Sequence, residues 1–230
     1  MRVKEKQMKT LLTVVAVSAF ALQAGAAVIT WGSAINISAD TDVANQGSLV
    51  VAENQDSRSV TPLTINGVTF GYHGESGNIT YSSARQWGSL GHNGTVGTDY
   101  GELLNGVSWD EDNGGTYTVT FDNLTVGQDY IVQIWVANPG HDTQTVSWDD
   151  GNGNSVGLVA DTTSGGGGVG QYAVGAFTAG ATSESILGTT NTGNPFFNAV
   201  QVRAVPEAAS VGMLGLGAGL LLAARRYLWL

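Results

Sequence analysis

Carboxylate and amide side chains recur at alternate positions in one Gly/Asn-rich segment of the chain. Asp150, Asn152 and Asn154 stand at positions 1, 3 and 5 of a pattern whose last position is Asp161. Oxygen ligands at this spacing are typical of calcium loops of the EF-hand type. Ser155 stands where that loop has glycine, and strand-like sequence flanks the segment. The residues therefore leave two interpretations open, a calcium site and a simple hairpin turn.

Four aromatic side chains lie among small polar residues between positions 71 and 115. Flat rings beside polar groups on loops are typical of carbohydrate-binding surfaces, because one side chain offers an apolar face and its neighbours offer hydrogen bonds. Anchoring of the core is the competing interpretation. The candidates for glycan contact are Tyr81, Trp87, Tyr100 and Trp109.

Residues for hydrolysis are sparse. His73, His92 and His141 accompany no Gly-x-Ser-x-Gly motif, so the sequence indicates no serine triad. Glycoside hydrolysis needs two carboxylates about 5 to 9 Å apart, whereas the acidic clusters here fall in turns, where carboxylates commonly bond backbone groups. We therefore predict no catalytic residues, and a carbohydrate-active enzyme is the alternative.

The elements that carry these loops are predicted to be strands. Apolar and polar residues alternate in 116–123 and 130–137, and Gly127 lies between the two runs, which predicts a hairpin of half-buried strands. Many short strands without helical periodicity predict an all-β fold, a single antiparallel β-sandwich of jelly-roll type. The other predicted strands are 28–31, 49–52, 63–72 with a turn or bulge at Asn66-Gly67, 143–148, 155–160, 171–178, 183–187 and 197–203.

Residues 27–204 are expected to form one domain outside the cytoplasm. Seventeen of the 19 acidic residues of the chain lie there against three arginines, which leaves a formal charge of about −14. Nucleic acid is therefore excluded as a partner, because phosphate binding needs a basic face. The chain contains no cysteine, so neither disulfides nor thiol chemistry can contribute.

Residues 1–26 have the three parts of a secretory signal peptide in the required order. Four basic residues between positions 2 and 9 precede the apolar residues 11–22, and Ala24-Gly25-Ala26 follows as a small-x-small pattern. This stretch of twelve residues, interrupted only by Thr13 and Ser18, suits a signal peptide and is too short to span a bilayer. We expect export of the chain and cleavage after Ala26 or Ala27.

A second apolar segment lies near the other end of the chain. Residues 208–224 carry no charge and are followed by Arg225 and Arg226. As a helix this segment would reach about 26 Å, close to the hydrocarbon thickness of a bilayer. Because positive residues stay on the cytoplasmic side, the arginines predict a membrane stop with the preceding domain outside.

The residues at the start of this segment carry a family resemblance. Pro206 and Glu207, the following Gly/Leu-rich apolar stretch and the terminal arginine pair resemble the PEP-CTERM sorting signal over residues 205–230, with Ala208 in place of the second proline. The resemblance implies a Gram-negative, exopolysaccharide-producing bacterium, processing by an exosortase protease, and a path from the inner membrane to the cell surface or extracellular matrix.

Residues 65–70, 124–136, 171–179 and 198–203 are similar to segments of PEP-CTERM proteins with a galactose-binding-like sandwich. That fold includes carbohydrate-binding modules. It also includes many domains without activity, so the fold resemblance alone assigns no function. The predicted anchor, the acidic sandwich and the loop aromatics together lead us to expect a non-enzymatic surface or matrix protein that binds extracellular polysaccharide. A structural matrix protein without a ligand is a further alternative.

Overall fold

The computed structural model describes residues 26–56, 61–83, 85–91, 97–110, 115–141, 144–164 and 167–206. The described residues contain short strands, one α-helix and one 3₁₀ turn at Asp40–Asp42. In chain order these are β1 (Thr30–Trp31), β2 (Ile35–Asn36), β3 (Ser48–Asn54), β4 (Leu63–Ile65), β5 (Val68–Tyr72), β6 (Ile79–Tyr81), β7 (Arg85–Trp87), α1 (Thr98–Asn105), β8 (Val107–Trp109), β9 (Tyr117–Phe121), β10 (Asp129–Val136), β11 (Thr145–Asp149), β12 (Ser155–Val159), β13 (Gln171–Thr178), β14 (Glu184–Thr190), β15 (Phe196–Phe197) and β16 (Ala199–Ala204).

The described strands form three sheets. The main sheet has the order β1-β13-β10-β16-β3-β5-β4, with β2 also paired to β13. The second sheet has the order β12-β11-β14-β9-β6. The third is a small sheet with the order β15-β8-β7, which is called the cleft sheet because it lines the cleft described below. The predicted all-β, sandwich-like body is thus confirmed. It is not wholly antiparallel, because β3 and β5 pair in parallel.

The first part of the core lies between the main and second sheets. Tyr117, Val119 and Phe121 point inward from β9, as the alternation of that segment predicts, and each is at most 1% exposed. Phe197 packs edge-on against Tyr117 and Trp148, with ring centroids 5.3 and 5.5 Å apart. Burial of each such side chain contributes about 1.5 to 3 kcal/mol.

The second part of the core lies under α1, which the sequence analysis did not predict. Tyr100, Leu103 and Leu104 are fully buried at helical spacing against the other face of the main sheet. Trp135 of β10 is also fully buried there and donates from Nε1 to the Tyr100 hydroxyl at 2.8 Å. The prediction that β10 is half-buried is therefore wrong, since α1 covers its second face.

The predicted hairpin of β9 and β10 is also wrong. Both strands form, but β9 pairs with β14 and β6, whereas β10 pairs with β13 and β16. The backbone N–H groups of Leu124 and Gly127 donate to the carbonyls of Thr182 and Ala179, at 3.0 and 2.9 Å. The loop between β9 and β10 is thus hydrogen-bonded to the loop between β13 and β14. Each of these loops leads from one of the two large sheets to the other.

The predicted turn at Asn66-Gly67 is confirmed. Ile65 and Val68 pair across it at the ends of β4 and β5. Asn66 and Gly67 have φ angles of 48° and 76°, the left-handed values that a two-residue hairpin with matched strand twist requires.

Both predicted membrane-directed segments lie mainly outside the described residues. The predicted signal peptide is described only at Ala26, and the predicted sorting signal only at Val205 and Pro206. Glu207, Arg225 and Arg226 are therefore not described. Within the described part of the chain, no helix is long and apolar enough to cross a membrane.

Candidate functional site

The cleft sheet presents an aromatic face. Trp87 pairs with Val107, and Trp109 pairs with Phe196. Since alternate residues of a strand share a face, these four side chains lie on one side of the sheet. Trp87 and Trp109 are diagonal neighbours, which places their Cβ atoms within roughly 8 Å. The face is therefore a continuous platform built around two indole rings.

The opposite face of the cleft sheet is fixed in the core. Phe197 and Ser108 alternate with the platform residues and are fully buried. The Ser108 hydroxyl donates to the Arg85 carbonyl at 2.9 Å and lies 2.6 Å from the Tyr117 hydroxyl. Tyr117 in turn donates to the Ser83 carbonyl at 2.9 Å. Burial raises the pKa of the Tyr117 phenol above its ordinary value.

Asn198 joins the cleft sheet to the main sheet. It lies between β15 and β16 and is fully buried. Its Nδ2 is within 2.8 to 2.9 Å of the carbonyls of Leu104, Gly106 and Ala137, and its Oδ1 accepts from the Ala137 N–H at 2.6 Å. One amide thereby bonds the end of α1 and the end of β10 beside the platform.

Polar groups from two loops stand above the platform. Asn138, His141 and Gln144 follow β10, and Asn194 precedes β15. Gln144 Nε2 donates to the Asn194 carbonyl at 2.7 Å, which ties the two loops together. The His141 ring lies 6.5 Å from the ring of Phe196. Residues 142–143 of the first loop are outside the described part of the chain.

Platform and loops enclose an open cleft of about 520 Å³, a size typical of small-molecule sites. Trp87 is 59% exposed at its edge. The Asn194 Oδ1 is buried and has no hydrogen-bond partner. The remaining described lining is aromatic, aliphatic, amide and imidazole in character. In such a cleft the aromatic rings can stack against a flat apolar face of a ligand, and the amide groups can form hydrogen bonds with its hydroxyl groups.

Of the four aromatic candidates, the structure brings Trp87 and Trp109 together in this cleft. Tyr100 is fully buried under α1 and bonded to Trp135, so its assignment as a glycan contact is wrong. Its spacing from Leu103 and Leu104 is the helical signal that explains its burial. The amides of the cleft stand in turn-rich segments without a distinguishing pattern, so the sequence alone does not identify them.

Tyr81 does not line the described cleft. Its hydroxyl donates to Glu53 Oε2 at 2.7 Å and accepts from Gln55 Nε2 at 3.1 Å, and its ring stacks on His73 at 4.3 Å. Burial, together with the Glu53 carboxylate, raises the pKa of Tyr81 well above its ordinary value. The hydroxyl is therefore a structural member of a buried polar network.

The structure does not bring the four candidate calcium ligands together. Asp150 and Asn154 lie in the turn before β12, whereas Asp161 follows that strand. Five strand residues separate the two ends by roughly 17 Å. No cluster of three or more acidic or histidine side chains suited to a metal occurs among the described residues. The turn between β11 and β12 fits the hairpin interpretation.

Both oxygens of the Asp150 carboxylate instead accept hydrogen bonds from nitrogen donors. Its Oδ2 accepts from the Ile29 N–H and from Asn154 Nδ2, both at 2.9 Å, and its Oδ1 accepts from the Asn152 and Asn154 N–H groups at 2.8 and 3.1 Å. Burial disfavours the charged form, but these donors outweigh it, so the pKa of Asp150 lies below its ordinary value.

We expect Asp150→Asn to lower the melting temperature by roughly 5 °C at pH 7, because charge-assisted hydrogen bonds are lost. Because the pKa of Asp150 is lower in the folded than in the unfolded protein, its ionised carboxylate stabilises the fold at pH values above the unfolded pKa of about 3.9. This stabilisation is lost as the pH falls through the pKa of the folded state. Calorimetric scans from pH 7 to pH 3 should therefore show wild type and variant converging in acid. The exposed Asp99→Asn is the control. A difference that stays constant with pH would refute the assignment.

No protein-family model and no characterised protein matches the chain in sequence. Among solved structures, the crystal structure of Bacteroides uniformis β-glucuronidase has a similar arrangement over 67% of this chain and 18% of that enzyme's chain. The sequence identity is 16% and the TM-score is 0.41. This chain thus spans less than a fifth of that enzyme, and the likeness is too slight to carry a conclusion about this chain.

Proposed function

We propose that this protein is an exported, non-enzymatic surface or matrix protein that binds polysaccharide in the cleft. The observation that carries the proposal is that Trp87 and Trp109 lie as diagonal neighbours on one face of the cleft sheet, in a cleft also lined by amide groups. Indole rings contribute large apolar contact at low conformational cost. Sugar rings carry both an apolar face and hydroxyl groups, so they match a platform edged by hydrogen-bonding amides.

The proposal is of binding without hydrolysis. Cleavage of a glycosidic bond would use two carboxylates that flank it, and the described lining contains amides, an imidazole and apolar groups. In this account the finer architecture is a jelly-roll-type sandwich, with a signal helix before it and a membrane helix at 208–224 after it.

Co-sedimentation of the purified protein with cell-surface polysaccharides of its source bacterium tests the proposal. We expect retention of the protein on at least one insoluble polysaccharide, without release of reducing sugar. Failure to bind any of them would refute the binding function. Release of reducing sugar that a single Asp or Glu substitution abolishes would favour the carbohydrate-active enzyme.

The C-terminal signal supplies the proposed route to the surface. Two hydrogen bonds hold the backbone of Val205. Its N–H donates to the Asp129 carbonyl at 2.9 Å, and its carbonyl accepts from Gln128 Nε2 at 2.6 Å. Pro206 is exposed directly after it. The proposed sorting motif begins directly after these contacts, and in this account a membrane-embedded exosortase acts on it there.

We expect mature protein from the source bacterium to end near Pro206 or Glu207, and the double variant Pro206→Ala, Glu207→Ala to remain full-length in the inner membrane. The reason is that an uncharged segment ending in two arginines halts in the bilayer. Mass spectrometry of the C-terminal peptide in each cell fraction measures this. An intact C-terminus through Leu230 in both proteins would show that the segment is a plain anchor.

A further inference from the structure

The backbone at the start of the described residues contacts the buried carboxylate of Glu184. The Ala27 N–H donates to Oε2 of Glu184 at 2.8 Å. Ala27 is 7% exposed and packs in the first part of the core, and Glu184 is 5% exposed. The other oxygen of Glu184 accepts from the N–H groups of Gly180 and Ala181 at 2.9 and 3.1 Å. A buried carboxylate thus points at the backbone nitrogen of Ala27.

The neighbouring residues are held by the turn that resembled a calcium loop. Asp150 Oδ2 accepts from the Ile29 N–H at 2.9 Å, and Asn152 Nδ2 lies 3.3 Å from the Ala27 carbonyl. Ala26, immediately before, is exposed. The fold therefore fixes the chain from Ala27 onward with three side chains.

We infer that the mature chain begins at Ala27 and that its terminal ammonium group binds the buried carboxylate of Glu184. This inference rests on the proposed export, since it needs a signal peptidase. Hydrolysis of the bond between the Ala26 carbonyl carbon and the Ala27 nitrogen consumes one water and leaves a carboxylate on Ala26 and an ammonium group on Ala27.

The geometry selects between the two cleavage positions that the sequence allows. Cleavage after Ala27 would remove a core residue and the hydrogen bond to Glu184 Oε2. It would also begin the chain at Val28, whose side chain is 60% exposed. Cleavage after Ala26 keeps every contact described above and adds a positive charge beside a buried negative one. A buried carboxylate without a compensating charge is costly.

The composition of the chain makes the ammonium group directly measurable. All three lysines lie at positions 4, 6 and 9, so the terminal amine is the one primary amine of a chain that starts at Ala27. Amine reagents attack only the deprotonated form, and each unit by which an ion pair raises the pKa reduces that form about tenfold. Burial of the nitrogen adds to this protection.

The experiment is amine labelling of the exported protein, purified after expression of the full-length gene in a Gram-negative host and read by mass spectrometry. We expect an N-terminus at Ala27 that labels at least roughly tenfold more slowly in the native protein than in urea. Native Glu184→Gln should label faster than native wild type, because the ion pair is lost while the nitrogen stays buried, and the exposed control Glu102→Gln should label like wild type. The native and urea rates of wild type suffice if Glu184→Gln does not fold.

Two results overturn the inference while export stands. One is an N-terminus at Val28 or at any position other than Ala27. The other is an N-terminus at Ala27 that labels equally fast in native and unfolded protein. A chain that keeps Met1 or Met8 as its first residue overturns both the inference and the proposed export.

Discussion

Replacement of Trp87 by alanine should weaken polysaccharide binding about 30-fold, which corresponds to roughly 2 kcal/mol. The indole is 59% exposed at the edge of the cleft, so its truncation removes stacking area while the core stays intact. The melting temperature should therefore change by no more than about 2 °C. Affinity electrophoresis or calorimetry with the retained polysaccharide measures the change.

Two further variants sharpen this prediction. Trp87→Phe keeps an aromatic face and should retain most of the affinity. Val126→Ala removes another exposed apolar side chain, in the connection between β9 and β10, and should bind like wild type. Unchanged affinity in Trp87→Ala would remove the platform from the binding site.

Replacement of Asn198 by alanine should destabilise the protein more than any other single substitution proposed for it. The two N–H groups of the amide are shared among three carbonyls, and its oxygen accepts from one backbone N–H, all at buried positions. Each buried backbone group left without a partner costs about 1 to 3 kcal/mol. We expect a total loss of roughly 4 kcal/mol, seen as a melting temperature about 10 °C lower.

Asn198→Asp separates the hydrogen bonds from the shape of the side chain. The carboxylate has nearly the same size but cannot donate while ionised, so it should destabilise the fold as much as alanine does. Asn45→Ala is the matched control, because Asn45 is exposed and its amide makes one long contact of 3.4 Å. A loss below about 1 kcal/mol in both Asn198 variants would refute the anchoring role.

The sequence predicted individual strands well and their partners poorly. Alternation in β9 identifies which side chains face inward, because that property is local. The hairpin failed because pairing depends on distant segments, here β13 and β14, which alternation within β9 and β10 does not encode. The missed helix is a different case, since Tyr100, Leu103 and Leu104 do have helical spacing, but the segment is short and contains Gly101.

The candidate site was predictable only in its aromatic part. Trp87 and Trp109 stand out by residue type, whereas Asn138 and Asn194 resemble any turn residue until the fold places them above the platform. The spacing of Asp150 and Asn152 suits a metal loop and a tight turn equally well. Their contacts with residues 27–29 join positions more than 120 apart in the chain, and no local pattern reports such a contact.

The most direct test of the central claim is oxidative footprinting of tryptophan with and without the bound polysaccharide. Among the tryptophans of the described residues, Trp87 should be oxidised fastest in the free protein, because it is 59% exposed, while Trp135 and Trp148 are fully buried. Bound polysaccharide should protect Trp87 and Trp109 and leave the rate at Trp31, on β1 of the main sheet, unchanged. Oxidation of Trp87 at the same rate in the bound and free protein would contradict the proposed binding cleft.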